Sequence, residues 1–481
     1  MTAGGVKLYA DHAACVVPLP STLTMRSAAS VLQRTGVVFR QPDDANMSPL
    51  VSIDVSTVSS PYWAEIDIQV DGNRGNNGEV TGVEIMRLKR GRSKATVAAV
   101  ECDFGAHITG NVELAKFDLH VDRCGTGVLV NESSGATPDE LLLNVVAHDC
   151  DTFFAASGSD KMKGLINFAC EKSTSYGAKL EKGWWDVRGI IRSVGMYGDG
   201  GLQIDGAEVR GSLEITGGDD ANCAWGANVL SGDLNGLSLK ISGKYADEVF
   251  LAGGVAGSAQ VHLAATPSNG TGIKLGDSAG LALDGFALLP GTEVNGMAAL
   301  DLDNARSCKV FLTKIVGGVL IGAGSTNNTI HIPRKHAETV TFANSRTQLD
   351  NKILFAGSFT WAEMAALNGG APFKGMQVVA CAQFDQAMAF FDGTQWVPSY
   401  GAFASGEITV WSSSISCSVA HGLAADPGNM ALPVVPDATG CWIASAATKY
   451  AFNVTAIDVV VFLDVDPMTD VKFVWQLHKV T

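Results

Sequence analysis

The chain has 481 residues, of which 54 are glycine, 46 % are hydrophobic and 17 % are charged, and its formal net charge is −15 at pH 7. This composition excludes a disordered chain and a collagen and disfavours a coiled coil. The acidic balance, with no lysine- or arginine-rich block, also disfavours nucleic-acid binding, which depends on a positive surface. Of the structural classes considered, the composition favours a turn-rich, mainly β chain of two or three domains.

The ten cysteines are too few for a disulfide scaffold and form no CxxC pair, so zinc-ribbon and thioredoxin-like sites have no support. The first residues lack the charged and apolar regions of a signal peptide, and no stretch approaches 18 uncharged apolar residues. We therefore expect a soluble protein that is made inside the cell, without membrane insertion and without a metal ion or cofactor.

Residues 1–48 differ from the chain that follows them. Within this segment, residues 25–34 (MRSAASVLQR) predict a short amphipathic helix. Because a stacked repeat needs a cover over its first coil, we interpret residues 1–48 as an N-terminal cap or attachment segment.

Residues 49–335 carry a short recurring phrase, in which a glycine precedes alternating apolar residues. Each copy predicts a short strand that a glycine turn opens. Repeats of about 20–26 residues without intervening helices predict a right-handed parallel β-helix. The copies are residues 82–85, 127–130, 201–204, 236–239, 272–275, 280–283 and 318–321, with variants at 213–215 and 300–302.

Four cysteines repeat with the same period. Cys102, Cys124, Cys150 and Cys170 are 22, 26 and 20 residues apart, and each follows an apolar stretch. Parallel stacking places equivalent positions of successive coils about 4.8 Å apart. We therefore predict an inward-facing ladder of four free cysteines, in preference to a metal site or a set of disulfides.

The repeat fades after residue 335. Residues 336–405 predict a linker with one helix over residues 360–367, which Thr360 caps, and a hairpin that turns at Asp392-Gly393 into Trp396. Residues 406–481 contain short strands separated by Pro, Gly, Asn and Asp, as is typical of an antiparallel β-sandwich. The predicted fold is all-β: a parallel β-helix with an N-terminal cap and a C-terminal antiparallel β-sandwich.

Three stretches resemble the tail spike and tail fibre proteins of bacteriophages. Residues 66–77 (IDIQVDGNRGNN) look like the entry strand of such spikes, and residues 378–398 are similar to a small hairpin unit of tail proteins. Residues 415–423 (ISCSVAHGL), together with the closing Phe473-Val474-Trp475, look like the terminal β-domain of phage fibres.

The resemblance implies a homotrimer in the virion tail, made in the host cytoplasm and attached to tail or adaptor proteins through its N-terminal segment. Such proteins bind polysaccharide on the surface of the host bacterium, and some cleave it as hydrolases or lyases. Three functions therefore stay open: a receptor-binding spike or fibre, a polysaccharide depolymerase, and a purely structural tail component.

Cleavage of a glycan requires two carboxyl groups that face one groove. Glu171 lies 22 residues after Asp149 and 20 after Asp151, so these acids are expected on neighbouring coils of the repeat. Asp186 and Asp205 follow close to aromatic residues and are further candidates. Each of these acids also has a simpler interpretation as a solvated turn residue.

Four aromatic residues are candidates for carbohydrate binding, because sugar rings stack on aromatic faces: Trp184, Trp185, Tyr197 and Trp225. Neighbouring residues of a strand point to opposite faces, so one of the two adjacent tryptophans is expected in the core or in a subunit interface. His107, His120 and His148 recur at a similar phase of the repeat, which leaves metal ligation or acid–base work open beside a solvated role. No nucleophile elbow, Walker loop or HExxH motif is present.

Overall fold

The computed structural model shows a chain that is almost entirely β, with 68 % strand and 6 % helix. It divides into two compact units, Met1–Lys352 and Ile353–Thr481. In the part of the chain that is described, no helix is long and apolar enough to cross a membrane. The described residues are 8–9, 15–25, 31–32, 34–35, 37–45, 47–54, 65–88, 93–133, 135–194, 200–217, 223–268, 270–277, 282–333, 339–381, 387–398, 404–410, 416–420, 430–431, 434–436, 450–454, 458–463 and 471–479.

The first unit is a parallel β-solenoid of about 11 turns, which confirms the predicted all-β parallel β-helix. It also contains a 3₁₀ turn, Arg74–Asn76, and one short helix, α1 (Ser345–Asp350). Its strands are β1 (Leu8–Tyr9), β2 (Cys15–Pro18), β3 (Leu23–Met25), β4 (Val31–Leu32), β5 (Arg34–Thr35), β6 (Val37–Arg40), β7 (Val51–Asp54), β8 (Glu65–Asp71), β9 (Thr81–Leu88), β10 (Lys94–Val100), β11 (Phe104–Val112), β12 (Lys116–Asp122), β13 (Thr126–Asn131), β14 (Leu141–Ser157), β15 (Lys163–Leu180), β16 (Trp184–Val194), β17 (Leu202–Gly217), β18 (Ala227–Tyr245), β19 (Phe250–Pro267), β20 (Thr271–Leu275), β21 (Leu283–Asp284), β22 (Ala287–Leu302), β23 (Ala305–Arg306), β24 (Lys309–Ile321), β25 (Thr329–Ile332) and β26 (Val340–Phe342).

Successive coils stack in register through two parallel ladders. The first runs through β8, β10 and β12, and the second through β9, β11 and β13. The long β14 contributes to both, since its first half pairs with β12 and its second half with β13. Alternate residues point inward, so one aliphatic side chain stands above the next in the core. Ile68, Val97, Leu119 and Val145 form one such column, and all four are fully buried.

Larger side chains fill the interior where β14, β15 and β16 stack. The ring of Phe154 meets the rings of Phe168 and Trp185 edge to face, with both pairs of ring centres 5.9 Å apart. Edge-to-face packing of this kind adds about 0.5–1.5 kcal/mol per pair beyond the burial of apolar area. The indole nitrogen of Trp185 donates a hydrogen bond of 2.7 Å to the Lys182 carbonyl oxygen, so its one polar atom is satisfied.

Three of the four predicted cysteines form the inward ladder. The backbone N–H of Cys124 donates to the Cys150 Sγ at 3.4 Å, and contact with Cys102 together with burial raises the pKa of the Cys124 thiol to about 12. Cys170 is an exception to the prediction: it lies opposite Ala147, and Ser173 occupies the position opposite Cys150. The count of residues between cysteines does not fix the phase, because the bends between strands differ in length. Cys223 and Cys308, like the four cysteines above, are buried and free.

The predicted helix at residues 25–34 is contradicted by the residues of this segment that the structure describes, while residues 26–30 and 33 lie outside the described ranges. The described residues of this segment belong to β3, β4 and β5, and β3 pairs in parallel with β7 while β4 pairs in parallel with β8. Pairing with the first full coils outweighs the weak helical pattern, because an exposed strand edge gains hydrogen bonds from a further strand. Parallel pairing extends on both sides of the predicted range 49–335, from β2 with β6 to β24 with β26.

The second unit begins with a parallel pair and a hairpin. Strand β27 (Lys352–Phe359) pairs in parallel with β28 (Met376–Cys381), and helix α2 (Trp361–Gly370) connects them. Thr360 and Glu363 form a capping box at the start of α2, which confirms the predicted helix and its cap. β29 (Ala387–Phe391) and β30 (Trp396–Pro398) form the predicted hairpin, whose turn is held by Asp392.

The remaining described strands of the second unit pair antiparallel. These strands are β31 (Ala404–Val410), β32 (Ser416–Ala420), β33 (Met430–Ala431), β34 (Val434–Pro436), β35 (Tyr450–Val454), β36 (Asp458–Leu463) and β37 (Val471–Lys479). β37 pairs with β31, β33 and β34, and β36 pairs with β32 and β35. The packing of these two sheets into a sandwich stays a prediction.

Burial of the three ladder cysteines and of Cys170 predicts slow thiol chemistry. At pH 8, iodoacetamide is expected to leave Cys102, Cys124, Cys150 and Cys170 unmodified in the folded protein and to modify all four in guanidinium chloride, because alkylation requires an accessible thiolate. Peptide mass spectrometry measures the modified fraction at each position. Labelling of Cys124 in the folded protein at the rate of the unfolded chain would contradict its place in the core.

Candidate functional site

Two open clefts lie on the outer surface of the solenoid. The first has a volume of about 620 Å³ and is built by β16, β17 and β18; we call it the arginine cleft, after its charged lining residues Asp186, Arg188, Arg210, Glu214 and Lys240. The second has a volume of about 460 Å³; we call it the tyrosine cleft, and its lining includes Asp103, Asp151, Tyr176 and Lys179.

The arginine cleft follows from strand alternation and register. Along β16, Trp185 and Val187 are buried, so Trp184, Asp186 and Arg188 project from the opposite, outer face. The parallel register then sets Arg210 of β17 beside Asp186. On the next pair of strands it sets Lys240 beside Glu214, and their side chains form an ion pair of 3.3 Å.

Asp186 is the least exposed charged residue of this cleft and pairs with both arginines. Its Oδ1 accepts a hydrogen bond from Arg188 Nε at 3.2 Å, while its Oδ2 accepts from Arg188 Nη2 and from Arg210 Nε, both at 3.3 Å. The Asp186 side chain is 14 % exposed, against 59 % for Arg188 and 46 % for Arg210. The carboxylate is therefore engaged and largely covered, and the guanidinium groups face the solvent.

Trp184 supports this arrangement from the side. The Arg210 guanidinium carbon lies 4.1 Å from the centre of a Trp184 ring, a cation–π geometry, and the indole N–H donates to Glu208 Oε1 at 2.7 Å. The half-buried indole thus orients Arg210, which covers one of its faces. This contact differs from the bare stacking surface that the sequence led us to expect.

The predicted sugar-stacking role of Trp185 is wrong. Its ring is fully buried and packs against Phe154 in the core, because it is the inward member of the Trp184-Trp185 pair. The sequence argument had placed one of these two rings inside without determining which one. Tyr197, a third aromatic candidate, lies outside the described residues.

Two glycines leave the floor of the arginine cleft open. Gly189 and Gly211 both line it, and both have positive φ angles, of 107° and 115°. A Cβ atom at Gly211 would lie 2.1 Å from the Val187 carbonyl oxygen, and one at Gly189 would lie 2.0 Å from that of Phe168. Only glycine fits at these positions, where backbone itself forms the cleft surface.

Asp151 lines the tyrosine cleft, but both of its carboxylate oxygens already accept hydrogen bonds. Arg74 Nη2 lies 3.3 Å from Asp151 Oδ2, and the Thr174 hydroxyl donates to Asp151 Oδ1 at 2.6 Å. The Arg74 Nε also contacts Asp103 Oδ1 at 3.0 Å, so one guanidinium joins two carboxylates. On the other side, Lys179 Nζ lies 5.8 Å from the centre of the Tyr176 ring.

Trp225 adjoins the tyrosine cleft. Its ring centre lies 5.9 Å from that of Tyr176 at an angle of 42°, and both rings are half-buried. The Trp225 ring passes over Gly200, where a Cβ atom would lie 1.9 Å from the ring, so glycine is required there. The predicted aromatic residue is thus paired with one that the sequence analysis missed.

The other three predicted carboxylates line neither cleft. Asp149 is exposed with a positive φ of 52°, and the register places Glu171 opposite His148 rather than Asp149. Asp205 is exposed and accepts a hydrogen bond of 2.7 Å from the Ser231 hydroxyl. Hence no two of the five candidate acids share one of these clefts, and their expected pairing across a single groove is not observed.

The three histidines do not form a cluster either. His107 lies in the second ladder, where burial alone would lower its pKa but hydrogen bonds to Glu84 and Asn131 outweigh burial and raise it. His120 and His148 lie in the first ladder, and His148 Nδ1 is 3.0 Å from Asp122 Oδ1. Within the described residues, no group of three or more His, Cys, Asp or Glu side chains is arranged to hold a metal ion.

Asp301 is an unusual acid that the sequence analysis did not single out. Burial, and secondarily the charge of Asp303, raise its pKa to about 6, although Lys274 opposes the shift. The same lysine lies 3.6 Å from Glu248 and 3.7 Å from Asp303. Alternation in the phrase Leu300-Asp301-Leu302-Asp303 was a usable signal, because it places two acids on the same face of a strand.

Comparisons with known proteins do not assign the chain to a family: no protein-family model matches it, and no curated protein shows significant similarity to it.

The floor of the arginine cleft predicts a stability effect. Gly211→Ala is expected to lower the free energy of unfolding by about 1–3 kcal/mol, because a Cβ atom is strained at this φ and meets the Val187 carbonyl. The neighbouring Ser212→Ala is a matched control and should stay within about 0.5 kcal/mol of the wild type, since Ser212 is exposed. Guanidinium unfolding followed by circular dichroism measures both. Equal stability of the two variants would contradict the backbone geometry.

The raised pKa of Asp301 predicts a pH-dependent stability. Because the pKa rises from 3.8 to about 6 on folding, the folded chain binds this proton more tightly, and the free energy of unfolding falls as pH rises from about 4 to about 6. Asp301→Asn cannot ionise and does not lose this stability. The melting temperature of the variant should therefore rise relative to that of the wild type between pH 4 and pH 7. Differential scanning fluorimetry measures the two profiles, with the exposed Asp284→Asn as control. Parallel profiles for Asp301→Asn and wild type would rule out the raised pKa.

Proposed function

We propose that the protein is a bacteriophage tail spike or tail fibre, a virion protein that adsorbs to polysaccharide on the surface of its bacterial host. The resemblance of three sequence stretches to such proteins motivates the proposal. The parallel β-solenoid is compatible with it, and the observation that carries it is the arginine cleft on the outer face of that solenoid.

The arginine cleft has the properties that recognition of a glycan needs. It is open to solvent, and three neighbouring strands, spaced about 4.8 Å apart, contribute to it. Its polar groups stand on regular strands and are fixed by contacts with one another, so little ordering remains for a ligand to impose. The exposed Ser212 hydroxyl and the guanidinium groups offer hydrogen-bond partners to sugar hydroxyls.

In this proposal the functional form is a homotrimer in the phage tail, made in the host cytoplasm. Its N-terminal segment attaches to tail or adaptor proteins. A solenoid has open ends and long exposed faces, and cyclic assembly of identical chains is one way to cover them.

A polysaccharide depolymerase is the second candidate function. The engaged state of Asp186 and Asp151 weakens the catalytic roles first suggested for them. One observation favours catalysis elsewhere: Asp301 has a pKa of about 6 and lies near Asp303, and a carboxyl group with a raised pKa is suited to general acid work. A purely structural tail component is the third possibility, and the experiment below distinguishes all three.

The test is a microarray of purified bacterial surface polysaccharides probed with the full chain. We expect the wild type to bind at least one polysaccharide, and Ser212→Trp to abolish that binding, because an indole at this exposed strand position fills the arginine cleft. The matched control is Thr341→Trp, another exposed hydroxyl residue, on β26, which should bind normally. Sedimentation analysis should give the mass of three chains.

Each other outcome has a defined meaning. Binding to no polysaccharide would favour the structural role and refute the proposal. Shortening of the bound polysaccharide, measured by size-exclusion chromatography, would establish the depolymerase instead, and its loss in Asp301→Asn would locate the reaction. Equal binding by Ser212→Trp and Thr341→Trp would remove the arginine cleft from the proposal.

A further inference from the structure

We infer that the ligand of the arginine cleft is an acidic saccharide, whose sugar carboxylate binds the guanidinium groups of Arg188 and Arg210. The inference rests on the proposed glycan-binding function and names the chemical class of the ligand. It depends on which polar atoms of the cleft are already occupied and which are still available.

The carboxylate of the cleft is already occupied. Asp186 accepts three hydrogen bonds from the two arginines and is 14 % exposed. An anionic ligand therefore meets little repulsion from it, since the charge of Asp186 is balanced by the two guanidinium groups that are paired with it. A neutral ligand that needs a strong acceptor would find this acceptor engaged.

The donors of the cleft are available. Arg210 uses Nε for Asp186, and among the described residues neither of its terminal nitrogens makes a hydrogen bond; Arg188 uses Nε and Nη2, which leaves Nη1. These terminal N–H groups belong to side chains that are about half exposed. A guanidinium fork matches the two oxygens of a carboxylate, and such charge-assisted hydrogen bonds are stronger than neutral ones.

The local charge balance points in the same direction. Arg188, Arg210 and Lys240 bring three positive charges to the cleft, whereas Asp186 and Glu214 bring two negative ones. The net excess is one positive charge, on a chain whose formal charge is −15. The cleft therefore favours an anionic group locally, although the protein as a whole repels one.

Trp184 makes the arginine site rigid. The cation–π contact at 4.1 Å and the Nε bond to Asp186 hold Arg210 at two points, and the indole is itself held by Glu208. Preorganised donors lose little side-chain entropy when a ligand binds. Trp184, which the sequence suggested as a sugar-stacking surface, thus positions the arginine that binds the acidic group of the sugar.

The test compares a polysaccharide with its carboxyl-reduced form. The probe is a hexuronate-containing bacterial polysaccharide that the wild type binds on the microarray, before and after carbodiimide activation and borohydride reduction, which convert each carboxylate into a primary alcohol. We expect reduction to weaken binding by about 10- to 100-fold, the range for losing charge-assisted hydrogen bonds, and 0.5 M NaCl to weaken binding of the native form. Biolayer interferometry measures both affinities.

Variants of the protein give a second, independent measurement. Arg210→Lys keeps the charge but not the fork, so we expect it to bind the native polysaccharide more weakly than the wild type and more tightly than Arg210→Gln. The triple variant Asp186→Asn/Arg188→Gln/Arg210→Gln removes the whole charged group without leaving Asp186 unpaired, and it should bind native and reduced forms equally. Lys309→Gln, an exposed cation on β24, is the control and should behave as the wild type.

The outcomes separate this inference from the proposed function. If the wild type binds only neutral polysaccharides and Ser212→Trp still blocks binding, the acidic-ligand inference is refuted while the proposed function stands. Binding that survives carboxyl reduction but is lost on removal of phosphate substituents would also refute the carboxylate. If the wild type binds no polysaccharide, the proposed function fails and this inference fails with it.

Discussion

Parallel, in-register hydrogen bonding between successive coils shapes both the core and the outer surface of the solenoid. Each coil offers its backbone groups to the next, and equivalent positions therefore repeat along the solenoid at the spacing of neighbouring strands. The interior consequence is a set of apolar columns such as Ile68, Val97, Leu119 and Val145. On the outside, side chains from the strands of three successive coils form one continuous surface.

The arginine cleft shows how this constraint produces a site. Asp186 and Arg210 are 24 residues apart, yet they are direct neighbours in the ladder and form an ion pair of 3.3 Å. Strand alternation separates Trp184, which faces outward and holds Arg210, from Trp185, which fills the core beside Phe154. Because the cleft stands on paired strands rather than on loops, its donors are held in place before a ligand arrives. The glycines of its floor occupy positions where a Cβ atom would collide with a backbone carbonyl oxygen of the neighbouring strand.

A comparison of particular residues shows how far sequence reasoning reached. The glycine-opened strands and their period predicted the parallel β-solenoid, and local signals predicted the Thr360 capping box and the turn at Asp392. The prediction for Cys170 failed because this coil sets Ser173, three residues further along the chain, opposite Cys150. The same kind of error affected Asp149 and Glu171. A sequence spacing close to one repeat does not establish that two residues are opposite each other, because the bends between strands differ in length. In place of the helix expected at residues 25–34, β3 pairs with β7 and β4 pairs with β8. No local sequence pattern predicts such pairing between distant strands.

Repeated alternation of apolar residues and glycine is enough to predict a β-solenoid, since it leaves few other ways to bury the apolar surface. Strand alternation likewise requires that one tryptophan of the Trp184-Trp185 pair lies inside. The folded chain was needed to show which tryptophan that is, that Asp186 is engaged by two arginines, and that Arg210 is held on an indole. These contacts join residues of different coils, which local sequence does not bring together. Their partners are set by the exact length of every bend between strands, and that length follows from the packing of the whole coil rather than from local composition.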